Sequence, residues 1–173
     1  MNEAYNNILT RRSIRKYRPE QISREELDAV LEAGKFAPTG MGLQPAIMIA
    51  VQDAETVALL SRLNAKFCAD TNSDPFYGAP TVIVVLCRAD SRFIREDGSL
   101  VMGNLMNAAH ALGLGSCWIN RAREVFDTDE GKALLKKWGV EGDYVGVGHC
   151  ILGYAAEERQ PKPRKDNFVY YVL

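Results

Sequence analysis

The sequence contains little of what marks hydrolytic, metal-binding or membrane proteins. Only two of its 173 residues are histidines, His110 and His149, and each is expected to be a core residue rather than a base or a ligand. No Ser-His-Asp set or pair of carboxylates stands out, so hydrolase chemistry gains no support. The four cysteines form no CxxC pair, which argues against an iron–sulfur site or a zinc ribbon. Apolar runs such as residues 82–87 are too short to span a bilayer, so we expect no membrane partner.

The overall composition is that of a globular protein with one domain. Hydrophobic residues make up 47% of the chain and charged residues 25%, and residues 1–173 are predicted to form a single domain with one sizeable core. The net charge of −1 excludes a general basic coat, so we expect no nucleic-acid partner. Because the first residues lack the basic-then-apolar pattern of a secretory leader, the predicted location is the cytoplasm, where thiols stay reduced.

Local patterns predict alternating helices and strands. Ser23 and Glu26 have the spacing of a capping box at the start of one helix, and Asp53 precedes another. Residues 100–114 predict a helix that is apolar almost all round, which indicates burial in a core or a subunit interface. The polar residues 70–78 predict a loop that could lie over a site. The predicted strands are 47–51, 82–87, 116–120 and 145–152, with one amphipathic helix between the last two.

Residues 11–17 concentrate positive charge near the start of the chain. Their sequence is Arg-Arg-Ser-Ile-Arg-Lys-Tyr, and it follows a short amphipathic stretch and is closed by Pro19. Guanidinium groups offer forked donors that match phosphate oxygens, and the Ser13 hydroxyl can add a neutral hydrogen bond. The segment therefore predicts a site for a small phosphate-bearing ligand, with a solvated basic turn as the alternative.

Two glycine-containing connections and a second basic run are further candidates. Residues 38–45 place two glycines between two prolines, and the Gln44 carboxamide can donate to and accept from the edge of a heterocycle. Residues 113–118 end the apolar helix and begin a strand, where glycines either cap a helix or let backbone amides approach a flat ligand. This order is the reverse of the dinucleotide-binding fingerprint. Residues 162–165 (Lys-Pro-Arg-Lys) form either a solvated segment or a second contact to the same phosphate.

Taken together, these segments resemble the nitroreductase family of FMN-dependent oxidoreductases in its short, single-domain form. The similarity covers essentially the whole chain and includes Tyr77-Gly78-Ala79-Pro80 before a strand and Gly153-Tyr154 after one. The resemblance implies an α+β fold with a mixed central β-sheet flanked by helices, whereas strand–helix alternation alone would suggest a doubly wound parallel sheet. It also implies a domain-swapped homodimer with FMN at the subunit interface, and residues 166–173 as an arm on the partner subunit.

The resemblance assigns individual residues to the cofactor. The FMN phosphate and ribityl chain are expected to be held by Arg11, Arg12, Ser13 and Arg15, joined by Lys162 and Arg164. The flavin ring is expected to face the backbone of Leu114, Gly115 and Ser116. The partner subunit is expected to contribute Pro38, Thr39, Gly40 and Gln44. Side-chain contacts from the turn stay open, because Gly40-Met41-Gly42 replaces the family's serine- or asparagine-rich sequence, and Asn64 and Asn72 are both candidates for the family's flavin-contacting asparagine.

The implied chemistry is hydride transfer in two halves. NAD(P)H passes hydride to flavin N5 and leaves, and a nitroaromatic, quinone or similar acceptor then takes its place. Because the cofactor carries the chemistry, no side-chain acid or base and no metal is predicted. The alternatives are a non-catalytic FMN-binding protein for storage or sensing, and a flavin-consuming or dehalogenating relative on the same fold. The sequence names neither the acceptor nor a preference between NADH and NADPH.

Overall fold

The computed structural model describes residues 2–173, and within them the chain forms six α-helices, one 3₁₀ turn and four β-strands. The helices are α1 (Glu3–Thr10), α2 (Arg24–Lys35), α3 (Ala54–Ala65), α4 (Ile94–Ala111), α5 (Ala122–Asp127) and α6 (Asp129–Lys137). The strands are β1 (Ala46–Val51), β2 (Thr81–Arg88), β3 (Gly115–Ile119) and β4 (Tyr144–Gly153). The 3₁₀ turn, Gly40–Gly42, lies between α2 and β1. The α+β class and all four predicted strands are confirmed.

The four strands form one sheet in the order β1-β2-β4-β3, and all neighbouring strands are antiparallel. This sheet differs from the mixed sheet expected from the family resemblance. Within residues 2–173, parallel pairing is limited to an isolated bridge between Ser13 and Ser116. The parallel pairing is this short because the segment after α1 meets β3 at one position only. It then turns, and Tyr17 pairs with Ala155, just beyond β4.

Each face of the sheet carries its own hydrophobic core. α2 and α4 pack on the face to which Ile83 and Val85 of β2 point, and α3, α5 and α6 cover the face to which Val82 and Val84 point. Successive side chains of a strand point to opposite faces, so a strand covered on both sides is apolar throughout. This explains why β2 was predictable from its sequence. As expected, three of the thiols lie in these cores: Cys87, Cys117 and Cys150.

The helix ends follow local signals where such signals exist. Ser23 Oγ accepts from Glu26 N while the Glu26 carboxylate accepts from Ser23 N, which confirms the predicted capping box. Asp53 accepts from Thr56 N at the start of α3, also as predicted. α4 begins at Ile94 rather than at residue 100, because its first turns are mostly polar and add nothing to the apolar pattern. α5 was not predicted, because six residues are too few to show a helical period.

α4 has one open face within a single chain, although its sequence predicted burial all round. Leu100 is 45% exposed, and a Cβ added at Gly103 would meet no atom within 4 Å. Met102 and Leu105, in contrast, are fully buried against the sheet. The open face lies near the middle of the helix, where a second chain could pack.

Residues 158–173 form an exposed, extended segment that contains neither helix nor strand. Its last residues are apolar, and Phe168, Tyr170 and Leu173 are almost fully exposed. An apolar end exposed in this way agrees with the predicted arm of residues 166–173, which stays a prediction. No helix among residues 2–173 combines the length and the apolar composition that crossing a bilayer requires.

Candidate functional site

The basic loop, residues 11–17, lies against the first residues of β3. Ile14 N donates to Ser116 O at 3.0 Å, next to the bridge between Ser13 and Ser116. Further along, Arg18 N donates to Tyr154 O at 2.9 Å, so the loop is held from the start of β3 to the end of β4. The structure thus joins two segments that the sequence predicted separately, residues 11–15 and residues 114–116.

Buried donors without partners mark this junction. Arg11 Nη1, Arg12 Nε and Ser116 Oγ are buried, and none has a hydrogen-bond partner within residues 2–173. Arg12 Nη1 donates to Leu9 O at 2.8 Å and to Arg11 O at 2.7 Å, which fixes its guanidinium group. A buried donor without an acceptor costs roughly 1–3 kcal/mol, and more when it is charged. The junction therefore fits an anionic ligand whose oxygens supply the missing acceptors.

Positive charge dominates around the junction. The pKa of His110 lies below its ordinary value because the ring is partly buried and because Arg11 and Arg12 are close to it. His110 Nε2 lies 2.8 Å from Thr10 Oγ1, which ties the ring to the end of α1. Among residues 2–173, neither Arg11 nor Arg12 has a carboxylate oxygen within 4.0 Å of its guanidinium nitrogens.

Glu157 fastens the backbone of the basic loop. Its Oε1 accepts from Arg159 Nε at 2.9 Å and from Arg15 N at 2.6 Å, and these bonds hold the pKa of Glu157 below its ordinary range. The carboxylate thus binds the Arg15 amide rather than the Arg15 guanidinium group. The Arg15 Cζ lies 6.0 Å from the centroid of the Tyr77 ring, at the limit of cation–π distance. The Arg15 side chain is therefore oriented without being neutralised.

Residues 70–78, predicted as a loop over a site, form a turn beside the basic loop, and hydrogen bonds hold this turn in place. Tyr77 has a φ of 54°, a left-handed conformation that is unusual for an aromatic residue. Asp74 holds this conformation, because its carboxylate accepts from Phe76 N at 3.0 Å and from Gly78 N at 2.6 Å. The turn thus presents Tyr77 to Arg15 at the cost of backbone strain.

A cavity of about 820 Å³ lies between α3 and residues 71–80. Its two glutamine amides are already bonded, since Gln21 Nε2 donates to Pro80 O at 3.0 Å and Gln52 Nε2 to Thr81 Oγ1 at 3.3 Å. Of the predicted flavin-contacting candidates, only Asn72 lines this cavity. Volume alone therefore does not locate the site, and we place the site at the donors without partners.

A glycine turn delivers residues 114–116 to the basic loop. Gly113 has a φ of 76° and its N donates to His110 O at 3.0 Å, while Leu114 N donates to Ala109 O at 2.8 Å, which closes α4 in a left-handed cap. A Cβ added at Gly115 would lie 3.1 Å from Ile14 Cβ, so the absence of a side chain permits the close approach of the basic loop. Gly113 is thus the cap, and Gly115 is the point of close approach.

The turn of residues 38–45 is anchored to the start of α4. Gly40 N donates to Asp97 Oδ1 at 2.8 Å, and a Cβ added at Gly40 would overlap the Phe93 ring. Thr39 Oγ1 accepts from Gln44 N at 3.1 Å, so this hydroxyl shapes the turn. Pro38 and the Gln44 side chain are exposed.

This turn and the basic loop stand at opposite corners of the sheet. They adjoin β1 and β3, the two edges, which are three strand spacings or about 14 Å apart. The start of β1 lies level with Val145 of β4, because both pair with the same residue of β2. Ser116 of β3 pairs with Leu152, which is seven residues or about 23 Å further along β4. The diagonal is about 27 Å by these spacings. A small ligand at the basic loop therefore cannot touch residues 38–45 of the same chain.

The remaining predicted contacts divide into exposed and buried residues. Lys162 and Arg164 lie on the exposed segment 158–173, and their contact to a phosphate stays a prediction. Asn64 is fully buried and its Nδ2 donates to Asn120 O at 2.7 Å, so it serves the core. Asn72 is exposed and is the accessible one of the two asparagine candidates.

Sequence reasoning missed two carboxylates that shape the site, Asp97 and Glu157. Asp97 is 3% exposed, and its Oδ2 has no hydrogen-bond partner within residues 2–173. Asp97 gave no local signal, because it lies before residue 100, where the predicted helix began. Glu157 lies 142 residues from Arg15, so their bond leaves no pattern in the sequence.

Comparison with known proteins shows the family to which this chain belongs. A family profile described as Nitroreductase family matches residues 8–154. A protein from Archaeoglobus fulgidus with the provisional name NADH dehydrogenase/NAD(P)H nitroreductase is 32% identical over 97% of this chain and 94% of its own length. The FMN reductase (NAD(P)H) of Bacillus subtilis is 25% identical over 95% of this chain and 70% of its own. A crystal structure of a nitroreductase with bound FMN from Bacteroides fragilis superposes with a TM-score of 0.91 and 29% identity over 100% of both chains. The chain therefore belongs to the nitroreductase family.

Proposed function

We propose that this chain is an FMN-dependent NAD(P)H oxidoreductase. The observation that carries the proposal is the set of buried donors without partners within residues 2–173, namely Arg11 Nη1, Arg12 Nε and Ser116 Oγ. A phosphate group offers several acceptor oxygens together with the negative charge that the two arginine donors call for, and the flavin ring has acceptor atoms for the Ser116 hydroxyl. The FMN bound to the Bacteroides fragilis nitroreductase and the name of the Bacillus subtilis relative support FMN as the ligand.

The residues of the junction bind and orient the cofactor, and FMN, when bound, supplies the hydride chemistry. Arg11, Arg12 and Ser13 hold the phosphate end, with Arg15 beside them. The backbone of residues 114–116, fixed by the bond from Ile14 N to Ser116 O, faces the flavin ring. The positive charges of Arg11 and Arg12 would also stabilise negative charge that builds up during the reaction. We assign no side-chain acid or base.

The two substrates use the same open space in turn. In this ping-pong order NAD(P)H leaves before the acceptor enters, and the acceptor is a nitroaromatic, a quinone or a similar compound. The relatives' names support this breadth, because they include both an NAD(P)H nitroreductase and an FMN reductase.

The geometry also favours a homodimer in which each site uses both chains. α4 has 18 residues and is about 27 Å long. Its start holds the turn of residues 38–45 through Asp97, and its end leads to the basic loop. A two-fold axis through the open middle of α4, near Gly103, sets two copies of the helix antiparallel. Each turn, with Thr39, Gly40 and Gln44, then reaches the other chain's basic loop, and residues 166–173 lie on the partner.

The test is an absorbance spectrum of the purified protein, followed anaerobically while NADH and then NADPH are added. We expect the flavin absorbance bands to bleach as soon as at least one of the two nucleotides is mixed in. Bands that persist with both would overturn the oxidoreductase proposal in favour of storage or sensing. A protein that stays colourless after FMN is added would overturn the cofactor as well. Light scattering is expected to give twice the subunit mass of 19.2 kDa.

A further inference from the structure

A small cationic cavity lies at the start of α4, apart from the junction described above. Its volume is about 290 Å³, and its walls come from the starts of α4, α5 and β4. Its lining includes three exposed arginines, Arg92, Arg95 and Arg123, together with the exposed Glu96. The cavity thus has net positive charge on a chain whose overall net charge is −1.

The three guanidinium groups of this cavity lack carboxylate partners. Among residues 2–173, the ion pairs within 4.0 Å involve other cations, and Glu96 pairs with none of the three arginines. Arg92 Cζ lies 5.6 Å from the centroid of the Phe93 ring, which supports the side chain at the rim. Three like charges facing one space repel each other, so an anion that fits between them gains from all three.

The floor of the cavity is bare backbone. Gly146 lies buried against the start of α5, where a Cβ would overlap the carbonyl oxygen of Ala122. The absence of a side chain at this position lets β4 pack closely on the start of α5. This close packing brings the residue after Ala122, Arg123, to the wall of the cavity.

The cavity adjoins the turn that serves the partner's cofactor in the proposed dimer. Phe93, next to Arg92, packs on Gly40, and Asp97, two residues after Arg95, accepts from Gly40 N. Arg92 and Arg95, which line the cavity, are thus close in sequence to the two residues that hold the turn. A nucleotide whose reactive end lies at the cofactor would extend past this turn toward the arginines.

We infer that Arg92, Arg95 and Arg123 bind the 2′-phosphate of NADPH and so make NADPH the preferred reductant; this rests on the proposed function. A phosphate monoester is the favoured occupant because it presents three free oxygens and close to two negative charges at neutral pH, which three forked donors match. NADH lacks this group and gains nothing from the cavity. The preference for NADPH over NADH thus comes from residues outside the FMN site.

The test uses the FMN-loaded protein and compares KM for NADPH and NADH. The wild type is expected to show a KM for NADPH about tenfold or more below that for NADH, the range given by charge-assisted hydrogen bonds. In the double variant Arg95→Ala/Arg123→Ala, the ratio of the two KM values is expected to approach one. Lys136→Ala/Lys137→Ala, which removes two positive charges from the exposed last turn of α6, is the matched control and should leave the ratio unchanged.

A direct binding measurement separates this inference from the proposed function. Adenosine 2′,5′-bisphosphate is expected to bind the wild type more tightly than 5′-AMP by about tenfold, and the preference should shrink in high salt because exposed charges are screened. Equal KM values for NADPH and NADH in the wild type, or a ratio untouched by the double variant, would refute the phosphate site while leaving the oxidoreductase intact. If neither nucleotide bleaches the flavin, the proposed function fails. The binding preference then tests the phosphate site by itself: tighter binding of the bisphosphate supports it, and equal binding of the two compounds refutes it.

Discussion

His149 makes the stability of this protein dependent on pH in a way that can be measured. The ring is completely buried on β4, between Phe76 and Phe126, whose centroids lie 5.2 Å and 6.1 Å away. Its Nδ1 lies 3.3 Å from Asn64 Nδ2, and its Nε2 has no partner within residues 2–173. Burial lowers the pKa of His149 from 6.5 to about 4, and the backbone groups of Asn120 and Ile119, which favour the charged ring, offset this effect only in part. The prediction that His149 is a core residue is confirmed.

The magnitude follows from linkage between protonation and folding. The unfolded chain binds a proton at His149 with a pKa of about 6.5, whereas the folded chain binds it only near 4. Between these values the unfolded state holds more protons, so the free energy of unfolding falls as the pH falls below about 6.5. The loss is about 2 kcal/mol at pH 5 and about 3 kcal/mol at pH 4. Above pH 7 the group has no effect on stability.

Urea unfolding of wild type and His149→Gln at pH 7 and pH 5, with FMN in excess, measures this effect. Gln keeps a polar side chain but does not titrate, so carboxylates elsewhere contribute equally to both proteins. We expect the stability difference between the two proteins to change by about 2 kcal/mol between the two pH values, the wild type losing more. His110→Gln is the control and should give a smaller change, because His110 is only partly buried. Parallel pH dependence of wild type and His149→Gln would refute the reasoning.

Two further predictions concern the cofactor site. Arg11→Ala should weaken FMN binding by about tenfold to a hundredfold, since it removes a charge-assisted hydrogen bond, and fluorescence titration of the apoprotein would measure it. An unchanged dissociation constant would contradict the phosphate role. Asp97→Ala should release the Gly40 amide and weaken FMN binding, whereas Asp97→Asn keeps an acceptor oxygen and should retain most of the affinity. Equal effects of the two Asp97 variants would show that the bond to Gly40 does not position the turn.

The parts of the fold that depend on neighbours in the chain were predictable. The capping box at Ser23 and the continuous apolar run of β2 are local signals, and both led to the correct element. The first turns of α4 and the whole of α5 were not predicted, because polar or short helices show no hydrophobic periodicity. The antiparallel arrangement of all four strands was also missed, since pairing is decided by contacts far apart in sequence.

The candidate site, like the fold, shows a difference between local signals, which the sequence reveals, and contacts between distant segments, which it does not. The composition of the basic loop predicted either a phosphate site or a solvated basic turn, because guanidinium groups match phosphate oxygens but are also common on exposed turns. The phosphate site stays a prediction. The contact of the basic loop with Ser116 was implied only through the family resemblance, as the two segments lie about a hundred residues apart. The bond between Gly40 and Asp97 could not be predicted, because a backbone amide gives no sequence signal of the carboxylate that it will meet.

If FMN binds at the buried guanidinium nitrogens of Arg11 and Arg12, as proposed, the level of this protein depends on the supply of its cofactor. Without an anion these nitrogens lower the stability of the empty fold, and ligand at a hundred times its dissociation constant adds about 2.7 kcal/mol to the free energy of unfolding. A difference of that size changes the fraction of unfolded chains about a hundredfold, and unfolded chains are what cellular proteases degrade. Cells short of riboflavin should therefore accumulate less of this polypeptide, so that its abundance follows flavin availability without any regulator of transcription.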